Sequence, residues 1–430
     1  MMKKFTKPEK GWMYYDWANS AYSIIITTAV FPIFYKSAAT NAGISNADST
    51  AYLGYTISIF TFILAMLGPI LGTIADYQGY KKKFFTFFFA LGISATALLA
   101  FVPSDNWLLL LVCYTFAALG STGANVFYDA FLVDITSEKR MNRISARGYG
   151  LGYIGSTIPF LISIAIIVLA QQEILPITAT IASKIAFIIT ALWWGIFAIP
   201  MFIHVKQMHY IEREPKIIVS SFKRLGTTFK EIKKYKALFI FLIAYFFYID
   251  GVGTIISMST SYGTDLGIGA TDLLIVLFAT QVVAAPFAMF YGRLAERFTG
   301  KIMLYVGIFI YIIVCIYAFF LDSVLDFWIL AMLVATSQGG IQALSRSYFA
   351  KLVPKKNANE FFGFYNIFGK FAAIMGPLLM GVMTQVTGNS GAGVLSLVVL
   401  FVIGIVVLYF VPEPSKTTKL ELDDSIDSSV

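Results

Sequence analysis

The sequence predicts an all-α polytopic membrane protein: twelve transmembrane helices forming two pseudo-symmetric six-helix bundles. Three observations predict it. Of 430 residues, 58% are hydrophobic and only 13% are charged, about half the charged fraction with which a soluble domain meets water. A bilayer core about 30 Å thick takes roughly 20 apolar residues at 1.5 Å each, and by that measure the chain divides into twelve apolar segments. The basic residues between those segments, all but Lys36 and Lys184, fall on one side if every segment crosses. A soluble enzyme, a nucleic-acid-binding protein and a disordered chain are excluded by composition alone.

The segments lie near 12–36, 51–75, 84–102, 107–135, 147–170 and 183–204, then 237–262, 272–294, 301–321, 326–350, 360–386 and 391–411. The first follows a basic start, MMKKFTKPEKGW, and is as long as a full span with no small-residue cleavage site, so it reads as a helix rather than a cleaved signal. From Phe371 to Val411 there is no charge, and TGNSGAG at 387–393 supplies the turn that makes two helices of that run. The longest polar stretch, 205–236, separates six spans from six. Within it Phe222, Leu225, Phe229 and Ile232 recur at helical spacing behind Ser220 or Ser221, with Lys223, Arg224, Lys230, Lys233 and Lys234 on the remaining face. That pattern fits an interfacial amphipathic helix on an anionic inner leaflet, or a plain connector. The expected organisation is a bundle over 1–204, the linker 205–236, a bundle over 237–412 and a disordered tail over 413–430.

Sidedness follows from lysine and arginine. The loops that carry Lys81–Lys83, Lys139, Arg140, Arg143, Arg147, the linker bases, Arg293, Arg297, Lys301, Lys351, Lys355 and Lys356 share a side with both termini. Opposite loops hold Lys36 and Lys184 but otherwise acids such as Asp48, Asp105 and Glu173. By the positive-inside rule both termini are cytoplasmic, in a bacterial cytoplasmic membrane, and the net charge of +8 is a sidedness signal. Cys113 and Cys315 sit inside apolar runs and imply no disulfide framework. His204 and His209 lie together at one membrane edge, too few for a histidine/cysteine metal site.

The halves echo each other. GTIADYQGYKKK (72–83) stands between spans two and three, GRLAERFTGK (292–301) between spans eight and nine, and each places an acid, Asp76 or Glu296, four residues after a glycine. FYDAFLVD (127–134) can be laid on LSRSYFAK (344–351), each followed by a basic loop and a helix reaching Pro159 or Pro377. Parallel six-span repeats are a transporter architecture.

On these residues the chain resembles the major facilitator superfamily, whose loop between its second and third helices looks like GTIADYQGYKKK. More narrowly it resembles the vacuole-effluxer (autophagy-related permease) family, through YYDWANSAYSIIITTAVFPIFY, FYDAFL, GYGLGYIGS, YIDGVGTII, GGIQALSRSYFAKLVP and EFFGFYNIFGKFAAIMGPLL. The resemblance covers nearly the whole chain. It implies a two-bundle transporter, and the family's eukaryotic members are associated with amino-acid efflux from vacuoles. The superfamily loop carries a base directly after its acid; here that position is Tyr77.

Six ionisable residues fall inside spans: Asp16, Asp129, Asp134, Asp250, Arg346 and Lys370. Intramembrane charges are costly and face protein or a water-filled cavity. Asp250 lies about 21 Å past Lys236 and Lys370 about 15 Å past Glu360, both near the midplane. They are the expected substrate or proton groups, with Asp16 a second proton candidate; Lys370 either meets a substrate anion or neutralises Asp250 or Asp16. The repeat alignment sets Asp129 against Arg346 and Asp134 against Lys351, so these pairs either bridge the halves or bond within each half. Asp76 and Glu296 complete the expected gate. Asn19, Tyr22, Gln281 and Gln342 are expected in the polar lining, with Tyr15, Tyr128, Tyr248, Gln338, Tyr365 and Asn366. Gly148, Gly150, Gly152 and Gly155 are read as sites of close helix contact rather than a phosphate loop.

The expected function is secondary active transport of a small organic solute by alternating access, with amino acids or similar polar or zwitterionic compounds as the expected substrates. A proton or other ion gradient would drive it, with no cofactor, since no ATP-binding loop or nucleophile–base constellation emerges. An exporter of lipids or amphipathic compounds, or a non-transporting membrane sensor, are the alternatives. Expected partners are the solute and a bilayer with anionic inner-leaflet lipids, with no nucleic acid, and the chain is expected to be a monomer.

Overall fold

The computed structural model describes residues 4–213, 217–230, 232–265, 268, 270–321 and 323–412. The expected tail at 413–430 lies outside them, as do the side chains of Phe229 and Ile232 in the linker pattern. The first bundle comprises α1 (Lys7–Asn41), α2 (Asn46–Ala75), α3 (Tyr80–Leu98), α4 (Trp107–Ala130), α5 (Glu138–Gln171) and α6 (Ala179–His204). The linker helix α7 (Ile217–Lys230) follows. The second bundle comprises α8 (Lys236–Asp265), α9 (Ala270–Phe298), α10 (Gly300–Phe319), α11 (Val324–Leu352), α12 (Ala358–Thr387) and α13 (Ser390–Tyr409). Among the described residues, eleven of these bundle helices are long and apolar enough to cross a bilayer; the other, α3, opens on Lys81–Lys83, which dilute its apolar run.

Local chemistry sets the helix starts. Thr6 and Glu9 form a capping box before Pro8 in α1, and Ser45, Asn106, Thr178, Thr299 and Ser323 each accept a backbone N–H in the first turn of the helix they precede. The largest boundary difference is in α5, which begins at Glu138 rather than near 147. Its first turns project beyond the apolar zone, where Arg140, Arg143 and Arg147 lie over the ring of Phe5.

One irregularity was not expected. Residues Ser23–Ala29 of α1 (SIIITTA) form a π-helical segment. Five of its residues are β-branched, which crowds the α-helical turn, and the Thr28 hydroxyl donates to the Ser23 carbonyl five residues back at 2.9 Å. Such segments re-aim a helix face, often at functional sites.

The bundles meet along two seams, α2 against α12 and α5 against α9 and α11. Glycine opens both. A Cβ at Gly363 of α12 would lie 2.8 Å from the Gly68 carbonyl oxygen of α2, and one at Gly150 of α5 would lie 2.7 Å from the Met289 side chain of α9. The end of the molecule carrying the N-terminus and α7 is termed the linker face. There the repeat is visible in chemistry as well as sequence: Lys82 donates to the Phe202 and Val205 carbonyls at the end of α6, and Lys301 donates to the Tyr409 and Val411 carbonyls at the end of α13.

Candidate functional site

Arg346 of α11 is buried at the junction of the bundles. Its Nη1 donates to Asp129 of α4 at 3.1 Å, its Nη2 to Asp16 of α1 at 3.0 Å and its Nε to the Ser145 hydroxyl of α5 at 2.9 Å. The guanidinium lies 4.5 Å from the ring centroid of Trp12 and 4.4 Å from that of Tyr149. Two carboxylates and two aromatic faces of one bundle therefore hold one cation of the other. Gly148 makes room for it, because a Cβ there would collide with the Asp16 carboxylate. The expected Asp129–Arg346 bridge between halves is present.

The expected Asp134–Lys351 bridge is not. Asp134 pairs with Lys81 of its own bundle at 2.7 Å, both side chains fully buried, and accepts from the backbone of Met208 and His209. Lys351 donates instead to Asn142 of α5 at 2.7 Å. Matched residues meet only near the pseudo-twofold axis, and these two lie more than a turn beyond the central pair, where each finds a nearer partner.

A second inter-bundle contact sits at the linker face. The Asp76 carboxylate, at the end of α2, accepts from the Asn359 backbone at 2.9 Å, the Asn359 amide at 2.8 Å and the Glu360 backbone at 3.3 Å, all in the first turn of α12. An acid at a helix N-terminus satisfies orphan donors and the helix dipole together. Gly72 permits the approach, its missing Cβ being replaced by the Asn359 carbonyl. The base absent at Tyr77 arrives from elsewhere: Arg224 of α7 donates to Asp76 at 2.9 Å, to Glu360 at 3.2 Å and to the Thr73 carbonyl at 2.7 Å, above the Tyr77 ring. Burial pushes the Asp76 carboxyl up to about 7, opposed by Arg224 and helped by Glu360. The matched acid, Glu296, is exposed, so this latch is formed in only one of the two repeats.

Away from the linker face a cavity of about 770 Å³ opens between the bundles. It runs from Tyr149 and Gln342 to Ser37, Gln171 and Thr180 at the opposite ends of α1, α5 and α6. Its polar groups are hydroxyls and amides, among them Ser20, Ser156, Gln281 and Gln338, and no charged side chain lines it among the described residues. The π-helical segment of α1 contributes Ser23, Ile24 and Thr28 to the wall. A narrow apolar annex, from Ile256 and Gln281 to Tyr262, Phe327 and Leu397, leads off into the second bundle. Tyr149 has one face on the cavity and its ring against Arg346, so it forms the floor. The structure is thus closed at the linker face and hollow toward the other.

The expected lining divides cleanly. Gln281, Gln338 and Gln342 line the cavity. Asn19 does not: its amide bonds Asn125 at 2.8 Å and accepts from Ser121, both on α4. Tyr22 packs against Trp194 inside the first bundle. Tyr15, Tyr128, Tyr248 and Tyr365 are likewise packing residues, stacked on neighbours or, for Tyr248, bonded to Ser345. Tyr149 and Tyr153, one helical turn apart on α5, are the tyrosines that line the cavity instead, with Phe34 and Phe160.

Asp250 is buried where α8 crosses α12, outside the cavity wall. One carboxylate oxygen accepts from the Gly376 backbone at 2.8 Å; the other lies toward the hydroxyl of Thr254 one turn on. Lys370 pairs with neither Asp250 nor Asp16. It is exposed, beside Phe371, six residues and about 9 Å along α12 from Gly376 and on a different face. Its expected role in neutralising those acids is therefore corrected for this state.

Comparison with known proteins agrees with this geometry. The family model described as vacuole effluxer Atg22 like matches residues 6–421. An uncharacterized MFS-type transporter of Bacillus subtilis, YxiO, is 72% identical over 417 residues, 97% of each chain. Autophagy-related protein 22 of Eremothecium gossypii is 23% identical over 444 residues, covering 88% of this chain and 85% of its own. Among solved structures, the major facilitator superfamily transporter FucP in its outward conformation superposes with a TM-score of 0.71 at 15% identity, covering 94% of this chain and 98% of that one. That likeness concerns the fold. The chain belongs to the vacuole effluxer Atg22-like family of MFS-type transporters.

Proposed function

We propose that this transporter moves a small organic solute with a neutral or zwitterionic polar head and an apolar side chain, the class that includes apolar amino acids. The observation that carries the reading is the cavity itself. Its hydroxyl and amide groups bind a polar head without the desolvation cost of a fixed charge, and the annex beyond Gln281 takes an apolar group. The linker face is cytosolic in this reading, because the basic loops lie there. The cavity then faces outward, and rocking of the bundles breaks the Arg346 cluster and the Asp76 latch to expose it inward.

Coupling to protons is part of the proposal. Asp250 is a buried carboxylate with no basic partner among the described residues, and Arg346 answers two carboxylates with one charge, leaving one negative charge in excess. Proton uptake neutralises either site without rearranging a base. The relatives named autophagy-related protein 22 supply a family precedent for membership, not for substrate.

The test is a thermal-shift screen of purified protein against amino acids, organic acids and lipids, repeated with Gln281→Ala and Gln338→Ala. A neutral or zwitterionic ligand whose stabilisation is lost in both variants supports the reading. Stabilisation only by dianions or by phospholipids, or one unchanged by both substitutions, overturns it.

A further inference from the structure

We propose that α7 is a lipid-responsive clamp: seated on an anionic membrane surface, it holds Arg224 between Asp76 and Glu360 and so favours the state closed at the linker face. The proposal rests on the alternating-access reading and adds a partner to it.

Asp76 ends a helix of the first bundle and Glu360 begins a helix of the second, and both side chains are fully buried. Two buried carboxylates brought together repel strongly. Arg224 bonds both, and it belongs to neither bundle. With the guanidinium in place the acids join the bundles; with it withdrawn, the same acids push them apart. The position of α7 therefore sets the sign of the interaction at the gate.

What positions α7 is its own amphipathic surface. At about 100° per residue, Ser221, Arg224 and Thr228 share one side, and Ser221 and Thr228 are buried against the protein. Ile218, Val219 and Phe222 project away from that side, 62%, 64% and 53% exposed. Lys223 and Lys230 are exposed at the edge of this apolar arc. An apolar strip flanked by lysines, on a helix packed beside the end of a membrane-spanning helix, fits the headgroup boundary of an anionic leaflet. Seating there buries the strip and fixes the opposite side, including Arg224, against the latch.

The test uses the full chain with Cys113 and Cys315 replaced and spin labels at Lys83 and Arg297, exposed positions at the linker face of the two bundles. Nanodiscs of phosphatidylcholine alone are compared with nanodiscs containing phosphatidylglycerol, and the closed and open distances are measured by pulsed electron paramagnetic resonance. Anionic lipid is expected to raise the closed-to-open ratio by roughly fivefold, the factor one basic residue near such a surface provides. The variant I218S/F222S, which leaves the latch intact, loses that response; R224A is open in both lipids. The proposal is overturned if the ratio is the same in both lipids, if R224A responds as the parent does, or if I218S/F222S instead abolishes a dimer held through α7.

Discussion

The charge count at Arg346 makes an asymmetric prediction. One guanidinium faces Asp16 and Asp129 at 3.0 and 3.1 Å, with the acid side chains each 14% exposed and the arginine 3%. Asp129→Asn leaves one carboxylate for one cation and an amide oxygen that still accepts, so its cost is that of weakening one hydrogen bond, about 1 kcal/mol. D16N/D129N leaves the guanidinium buried without a counter-charge, and Arg346→Met leaves two carboxylates facing each other. Removing a partner from a buried pair costs about 3–5 kcal/mol. At about 3 °C per kcal/mol that is a fall of about 9–15 °C in Tm, against about 3 °C for the single change. Fluorescence-detected size exclusion after heating reads this directly, with transport in proteoliposomes as the second measurement. The swap D129R/R346D is expected to recover part of both, since Asp16 then faces the relocated base. A double variant no worse than Asp129→Asn, or Arg346→Met melting with the parent, would refute the reasoning.

Three further outcomes follow from the same geometry. Tyr149→Ala removes the floor between cavity and guanidinium, and is expected to let monoanionic solutes compete with the neutral substrate, checked by competition binding against the parent. The Asp76 carboxyl is pushed up to about 7 in the latched state, so the latch holds a proton there that an open, solvated Asp76 releases near its ordinary value of about 4. Latched stability should therefore fall as pH rises from about 4 to about 7 and level off above, and Asp76→Asn should flatten that slope, read from labelled-pair distances across the pH range. Asp250→Asn is expected to abolish accumulation driven by a proton gradient while solute exchange at equilibrium continues; loss of both, or of neither, counts against a coupling role.

Much of this molecule was legible in its sequence, and the physical reasons are separable. Span positions follow from the length of an apolar helix that crosses a bilayer, and the all-basic side checks the count, because one missed helix reverses every later loop. The Asp129–Arg346 bridge was legible because repeat-related residues near the pseudo-twofold axis meet their counterparts. The same logic failed for Asp134 and Lys351, where Lys81 and Asn142 are nearer. Asn19 and Tyr22 were misassigned because hydropathy says that a polar residue within a span is buried but not which way it faces; each turns into its own bundle. Arg224 was counted among the linker bases, and no local pattern distinguishes the one arginine that crosses to two acids more than a hundred positions away. The departure at Tyr77 was the available signal: a latch acid without its neighbouring base needs one from another element. Tyr149 and Tyr153 also had a signal, their one-turn spacing on one face of α5.

In the proposed cycle the cavity opens alternately to two faces, and the linker face is closed in this structure. The Ser347 hydroxyl of α11 donates to Asn142 of α5 at 3.0 Å, so S347C/N142C in a chain lacking Cys113 and Cys315 can lock that seam by oxidation. A third cysteine, at Ser156 in the cavity wall, is then probed with a membrane-impermeant thiol reagent added to either side of oriented vesicles. Labelling from the side opposite the linker is predicted in both locked and unlocked protein, and labelling from the linker side only after reduction. Linker-side labelling in the locked protein, or none there even after reduction, would contradict alternating access about this cavity.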